Sequence, residues 1–368
     1  MLIGKADEER RSRLPGPDHR SPSLLTGGNV KPVGYAVVGL GAIAQQAVLP
    51  AFAHSNKARL AAVVSGDKEK AEQLAGKFRA PHYYTYEAYA ECLKNPAVEA
   101  VYIATPPGRH ETFTLDAARA GKHVLCEKPL AATVAEGRRM VHACRKNGVR
   151  LMTAYRKYFE PASAALKKMI AEGRLGRVDI IHTAFTEFHR AGGSAPPWLL
   201  QRKLAGGGPL MDLGVYCVNT GRWLVDEDPV QAAAFSWRHD RKRFRQVEQG
   251  IAFRLNFASG LVLQGSSSYG SALASFVQIH GEKGWAALSP AFAFEQERRL
   301  AGSIAGRWFE MRFGVIDEFA LELDAFAECI RRNRPAEPDG EQGMRDLIII
   351  DAIYRSARQG RPVRIRYS

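Results

Sequence analysis

From residue 31 to about residue 154, short apolar runs alternate with segments whose apolar positions recur at helical spacing. The runs "GYAVVGL", "RLAAVVSG", "VEAVYIATPP", "HVLCEKP" and "RLMTAYR" are dense in Val, Ile and Ala with little alternation, the pattern of strands buried on both faces. Between them lie amphipathic stretches such as "KEKAEQLAGKF" and "VAEGRRMVHACRKNG". This period predicts an α/β domain with a doubly wound parallel sheet over residues 33–154. Beyond 155 the texture changes. After one more helix ("PASAALKKMIAEG") come "VDIIHTAFTEF", "VQAAAFSW", "QGIAFRLNF", "LVLQGSSSYG", "SFVQIHG" and "GWAAL", with hairpin turns expected at "ASG" (258–260) and "GEKG" (281–284). They read as an antiparallel meander. Two helical patterns, near 317–332 and 341–358, close the chain. Residues 155–368 are therefore expected to form a second, α+β domain with an open, mainly antiparallel sheet, and residues 1–32, rich in Pro, Gly, Ser and charge without a period, a flexible arm.

Composition narrows the classes. A chain of 368 residues with 46% hydrophobic content can bury two cores. No apolar run approaches the ~20 residues that span a bilayer. The pair Arg10-Arg11 is followed by "SRLPGPDHRSPS" where an export signal needs an apolar core, so a cytoplasmic protein is expected. The five cysteines, at 92, 126, 144, 217 and 329, have no C-x-x-C spacing, which argues against a disulfide framework or a zinc site. The formal charge of +14 raises the question of a polyanionic partner. Its clusters sit in the arm, in "RHDRKRFR" (238–245) and in "RQGRPVRIR" (358–366), without aromatics interleaved along them beyond the single Phe244. A solvated hairpin and two tails are expected, and no specific nucleic acid.

"YAVVGLGAIAQQAV" places Gly39, Gly41 and Ala44 as G-x-G-x-x-A between the first strand and a helix. Glycines there let the backbone turn tightly and let a pyrophosphate reach the free amides of the helix N-terminus, so a bound dinucleotide is expected. Pro50 should kink or shorten that helix. The next strand bears on which dinucleotide. NAD sites put Asp or Glu at its end, whereas a 2′-phosphate needs donors and positive charge. "AAVVSGDKEK" offers Ser65, then Lys68 and Lys70, while Asp67 could serve NAD from two residues on. NADP is favoured over NAD.

Two stretches carry chemistry. "HVLCEKPL" ends a strand of the parallel sheet in Glu127, Lys128 and Pro129, at the carboxyl edge where such folds bind ligands. Lys128 is either functional or a surface lysine at a strand end. In "GGGPLMDLGVYCVNTGRWL" the spacing predicts a helix over 209–225, apolar on most sides, with Asp212, Tyr216 and Asn219 along one face. A polar stripe on a buried helix must meet partners or a wet cavity. Either the site lies there, or Asp212 is a satisfied buried acid with the Tyr216 hydroxyl bonded to it.

Together, "VGLGAIAQQAVLPAF", "VVSGDKEKA", "AVYIATPPGRH", "HVLCEKPLA", "AYRKYFEP", "LAGGGPLMDLGVYCVN" and "LIIIDAIYRSARQGRPV" resemble the Gfo/Idh/MocA oxidoreductase family, nearest its glucose-fructose oxidoreductase group. The resemblance runs from Tyr35 to Arg364. It implies a Rossmann domain followed by an open-sheet domain that often makes dimers or tetramers, and hydride transfer between nicotinamide and a sugar or polyol. Many members use a histidine where this chain has Tyr216. The resemblance implies Tyr216 as acid/base, Lys128 lowering its pKa and bonding the substrate oxygen, and Asp212 orienting the sugar, with no metal. It further implies that Gly39, Gly41, Ala44, Ser65, Lys70, Thr105, Pro106, His110, Glu127 and Arg156 line the cofactor, Ser65 and Lys70 at the 2′-phosphate. Three departures stand out: Lys157-Tyr158 where relatives carry a histidine, "TPP" for "TPN", and the arm. Two alternatives remain, a glucose-fructose-type enzyme that never releases NADP and a non-catalytic dinucleotide-binding regulator.

Overall fold

The computed structural model describes residues 31–190, 192, 193 and 195–367. The expected arm, with Arg10, Arg11 and Arg13, lies outside the described residues except for Lys31 and Pro32. Six parallel strands form the first sheet: β1 (Val33–Val38), β2 (Ala58–Ser65), β3 (His82–Thr85), β4 (Ala100–Ile103), β5 (His123–Glu127) and β6 (Leu151–Ala154). Their order is β3-β2-β1-β4-β5-β6, so the winding reverses between β1 and β4, where doubly wound sheets open a crevice for ligands. The runs read from the sequence are these strands, and β1 and β4 are wholly buried. Strand β3, "HYYT", escaped the reading because an edge strand, here half-exposed, has no buried run to reveal it.

The helix after the glycine turn is short, as Pro50 requires. It is a π-helical turn, Ala44–Val48, continued by Leu49–Ala51.

The second sheet has nine strands: β7 (Val178–Thr186), β8 (Pro229–Trp237), β9 (Gly250–Phe257), β10 (Val262–Ser268), β11 (Ala274–Gly281), β12 (Gly284–Ser289), β13 (Arg298–Ile304), β14 (Arg307–Phe313) and β15 (Val363–Arg364). The order is β14-β13-β12-β11-β7-β10-β9-β8-β15. Both expected hairpins are present. The sheet is not a simple meander, however, because β7 inserts between β11 and β10 and runs parallel to β10. Strands β13 and β14 were absent from the reading; their charged residues break the apolar runs. The 238–245 loop is also less solvated than expected, since Phe244 is buried and Arg243 donates to the carbonyls of His189 and Arg190.

The two parts interlock. Helix Glu318–Arg331 returns to the parallel sheet, where Phe319, Leu323 and Phe326 join the core of Val33, Tyr35 and Val37. The Tyr35 hydroxyl donates to the Leu323 carbonyl at 3.2 Å. Helix Gly340–Gln359 packs on both β8 and helix Val134–Lys146.

Candidate active site

At the carboxyl edge of β1 the backbone of Gly39 has φ +93°, and a Cβ there would lie 2.8 Å from the backbone of Ala104 and Thr105. Only glycine fits both conditions. A Cβ on Gly41 would instead meet nothing within 4 Å, and Gly41 is exposed while Ala44 is buried against the strand. This leaves an open shelf above a helix N-terminus, the shape a pyrophosphate needs.

At the end of β2, the Ser65 hydroxyl accepts from the Asp67 amide at 3.1 Å, and Asp67 caps helix Lys68–Phe78 by accepting from the Lys70 amide at 3.0 Å. Asp67, the carboxylate nearest the end of β2, thus spends one oxygen on a helix cap. Lys68 and Lys70 are exposed beside it. After β4, Thr105 is buried and its Oγ1 has no hydrogen-bond partner among the described residues. A buried orphan hydroxyl facing a dinucleotide crevice fits a bound cofactor. Pro106 precedes a short turn at Pro107–Arg109. His110 does not face the crevice freely: Nδ1 meets the Leu130 carbonyl at 3.1 Å and Nε2 the Thr105 carbonyl at 2.7 Å. It ties the Thr105 loop to the segment after Lys128, and burial pushes its pKa down.

Strand β5 delivers Glu127 and Lys128. Glu127 is buried, accepts from the Tyr102 hydroxyl at 2.7 Å and from the Lys128 amide at 3.1 Å, and is raised in pKa by burial. The Lys128 ammonium reaches across to the second domain and donates to both the carbonyl and Oδ1 of Asp212, at 2.8 and 3.0 Å. Burial disfavours its charge, but the acids around it, Asp212 foremost, push its pKa up to about 12. Burial likewise works against the Asp212 carboxylate, and the charge of Lys128 with hydrogen bonds from Lys128 and Tyr269 holds it below the usual range. Tyr269, unmarked in the sequence reading, donates to Asp212 Oδ2 at 3.0 Å and is stacked by the His189 ring at 4.2 Å.

The segment carrying Asp212 is not one regular helix. A π-helical turn, Leu210–Gly214, precedes the α-helix Val215–Val225, and such turns are frequent at functional sites. Glycines precede it because Glu248 and Tyr354 fill the space: the Gly208 and Leu210 amides donate to Glu248, and a Cβ on Gly207 would meet the Tyr354 hydroxyl at 2.0 Å. The expected common polar face is divided. Asn219 turns away and donates to Asp346 at 2.8 Å. Asp212 and Tyr216 share no hydrogen bond; Lys128 stands between them, its Nζ 4.8 Å from the Tyr216 ring centroid. Tyr216 is buried among Phe185 and Phe292, with the Arg156 guanidinium 5.3 Å from its ring.

Arg156 is itself buried, bonded to Glu318 and the Phe292 carbonyl. Glu318 also pairs with Arg298 at 2.6 Å and Lys157 at 3.3 Å. Burial pushes Lys157 down to about 8 despite these anions. Tyr158, the other departure, packs at 4.6 Å on Trp223, away from Lys128. The structure thus brings Lys128, Asp212, Tyr216 and Arg156 together, places Gly39, Gly41, Ala44 and Thr105 along one crevice, and leaves Lys70 and Ser65 at its far end. All five cysteines are free, no cluster of metal-binding side chains occurs among the described residues, and no described helix is long and apolar enough to cross a membrane.

Comparison with known proteins bears on the family and the fold. Residues 33–155 match the family described as an oxidoreductase family with an NAD-binding Rossmann fold, and residues 167–365 match the C-terminal alpha/beta domain of the same family. A D-xylose 1-dehydrogenase (NADP(+)) of Haloarcula marismortui is 33% identical over 337 residues, which are 91% of this chain and 93% of its own length. A 1,5-anhydro-D-fructose reductase of Ensifer adhaerens is 32% identical over 284 residues, 75% of this chain and 82% of that one. Among solved structures, the aldose-aldose oxidoreductase of Caulobacter crescentus, complexed with glycerol, superposes with a TM-score of 0.86 at 38% identity, covering 91% of this chain and 100% of that chain.

Proposed function

The chain belongs to the Gfo/Idh/MocA oxidoreductase family, and from that premise we propose that it is an NADP-dependent oxidoreductase acting on a carbinol or carbonyl carbon of a sugar or polyol. The observation that carries this is the placement of Lys128 at the edge of the parallel sheet, bonded to Asp212 and close over Tyr216. When bound, the nicotinamide supplies the hydride acceptor or donor. Tyr216 takes the hydroxyl proton in oxidation and returns it in reduction. The Lys128 ammonium and the Arg156 guanidinium lie over its ring. An ammonium has three N–H groups, and Asp212 engages two, so one remains for a substrate oxygen. Asp212, fixed by Lys128 and Tyr269, is the acceptor for a neighbouring sugar hydroxyl.

NADP is favoured over NAD because Asp67 is occupied as a helix cap while Lys68 and Lys70 stand free beside Ser65, and because the similar Haloarcula enzyme is an NADP(+) one. Residues 33–154 would hold the cofactor and 155–368 the sugar. In the same reading the enzyme works in the cytoplasm as a homodimer or homotetramer through its nine-stranded sheet, which sedimentation tests. A second reading, a two-sugar enzyme whose NADP is never released, draws support from the likeness to the aldose-aldose oxidoreductase.

Nicotinamide absorbance on the purified protein with pooled aldoses separates the two. Sustained reduction that depends on added NADP is the expected outcome, and a single stoichiometric burst from resident cofactor means the two-sugar enzyme. Tyr216→Phe is expected to bind NADP as before and to lose ~10²-fold or more in turnover; unchanged turnover removes Tyr216 from the mechanism.

A further inference from the structure

The far end of the crevice holds one cation that neither the sequence reading nor the family resemblance assigns. Arg109 lies in the loop after β4, its amide bonded to the Pro106 carbonyl at 2.9 Å. Its guanidinium sits 5.7 Å from the ring centroid of Tyr86. Tyr86 is in turn built onto the end of β2. Its amide donates to the Ser65 carbonyl at 3.0 Å, and its ring covers Gly66 so closely that a Cβ there would lie 3.0 Å from two ring carbons. The Tyr86 ring thus adjoins both Gly66, the residue after Ser65, and the Arg109 guanidinium. Arg109 is exposed and makes no side-chain hydrogen bond or ion pair with the described residues, although acids elsewhere on this surface, such as Glu111 with Arg139, are paired. On its other side a groove of about 760 Å³, lined by Tyr86, Tyr89 and Phe113 and by the acids Glu87 and Asp116, also borders Arg109.

We propose that Arg109 is a determinant of dinucleotide choice, pairing with the adenosine 2′-phosphate together with Lys70. The inference rests on the NADP reading given above and adds a residue to it. A guanidinium offers a planar fork of donors that matches phosphate oxygens, and stacking on Tyr86 holds the fork in place before the ligand arrives. The adenosine of NAD carries a neutral hydroxyl at the same position, so the pairing discriminates between the two. If Arg109 only lay over the adenine face, it would favour both dinucleotides alike.

The test is a pair of binding titrations, NADPH and NADH, on the full chain and on Arg109→Ala and Arg109→Lys, at fixed salt. Arg109→Ala is expected to raise the NADPH Kd about tenfold and to move the NADH Kd by less than about twofold, with a shallower dependence of NADPH affinity on salt. Arg109→Lys, which keeps charge without the fork, recovers part of the loss. Where the protein is purified with nucleotide bound, the NAD share of the extracted nucleotide rises in Arg109→Ala. Equal weakening of both dinucleotides, or no change in either, overturns the assignment while leaving the NADP reading intact. A wild-type chain that prefers NADH defeats the NADP reading itself, and with it the role of Arg109.

Discussion

Lys128 and Asp212 hold each other in the ionised state, and the direction of each shift gives a pH expectation. Asp212 is held low, so its carboxylate persists to more acidic pH than an ordinary aspartate; Lys128 is raised, so its ammonium persists until about pH 12. Neither should titrate between pH 5 and 10. Asp212→Asn removes the anion foremost in raising Lys128, so its pKa falls and the alkaline limit of kcat/KM should move to lower pH than in the wild type. A pH profile of both proteins checks this. Lys128→Met removes the donor and the cation together and should lower kcat/KM by about 10²-fold or more, while NADP still binds. Among these residues the sequence was informative for a physical reason: Lys128, Asp212 and Tyr216 are polar groups inside apolar runs, and burying them demands partners. Tyr269 and Glu318 gave no such signal, since a tyrosine ending a strand and an acid opening a helix are ordinary at those positions.

At the scale of elements, the glycine run before the π-helical turn is fixed by what packs against it. Gly207→Ala would drive a methyl into the Tyr354 hydroxyl, itself bonded to Glu248 at 2.8 Å. Overpacking of this kind costs about 1–3 kcal/mol, so thermal unfolding should shift down by several degrees, with NADP affinity close to the wild type because the glycines lie outside the dinucleotide crevice. The sequence predicted one amphipathic helix over 209–225. The π-helical turn changes the register within it, which is why Asn219 joins Asp346 and not the Asp212 side. Helical spacing cannot register one extra residue in a turn.

For the whole molecule, a buried ion cluster draws together distant parts of the chain: Arg156, Lys157 and Glu160 precede the second sheet, Arg298 lies within it, and Glu318 opens the helix that returns to the first. Lys157 is 1% exposed, and burial depresses its pKa to about 8 from 10.5. In the unfolded chain it keeps its proton to higher pH, so between pH 8 and 10 the contribution of Lys157 to stability rises with pH, by on the order of 2–3 kcal/mol. The thiols of Cys92, Cys126, Cys144 and Cys217, pushed up by burial, act in the opposite direction, because the unfolded cysteines lose protons first. Above pH 10 the tyrosines add to this opposing contribution, because burial raises Tyr35, Tyr102, Tyr155 and Tyr269 above their ordinary value and the unfolded tyrosines lose protons first. Unfolding curves at pH 7.5 and 9.5 should show stability changing less favourably with pH in Lys157→Met than in the wild type. An unchanged slope in the variant would assign the effect to other groups.

By itself the sequence determined the strand-helix alternation of residues 33–154, the glycine turn at 39–44, the change to an antiparallel texture after 155 and the two closing helices, because each depends on local periodicity or on a backbone that only glycine can adopt. The tertiary structure decided the rest. The insertion of β7 beside β10, the return of helix Glu318–Arg331 to the parallel sheet, the capping use of Asp67, the structural bonds of His110 and the meeting of Lys128 with Asp212 and Tyr269 all join residues far apart in the chain or depend on which of several possible partners a polar group finds. Partner choice is set by packing, and packing is a property of the folded whole.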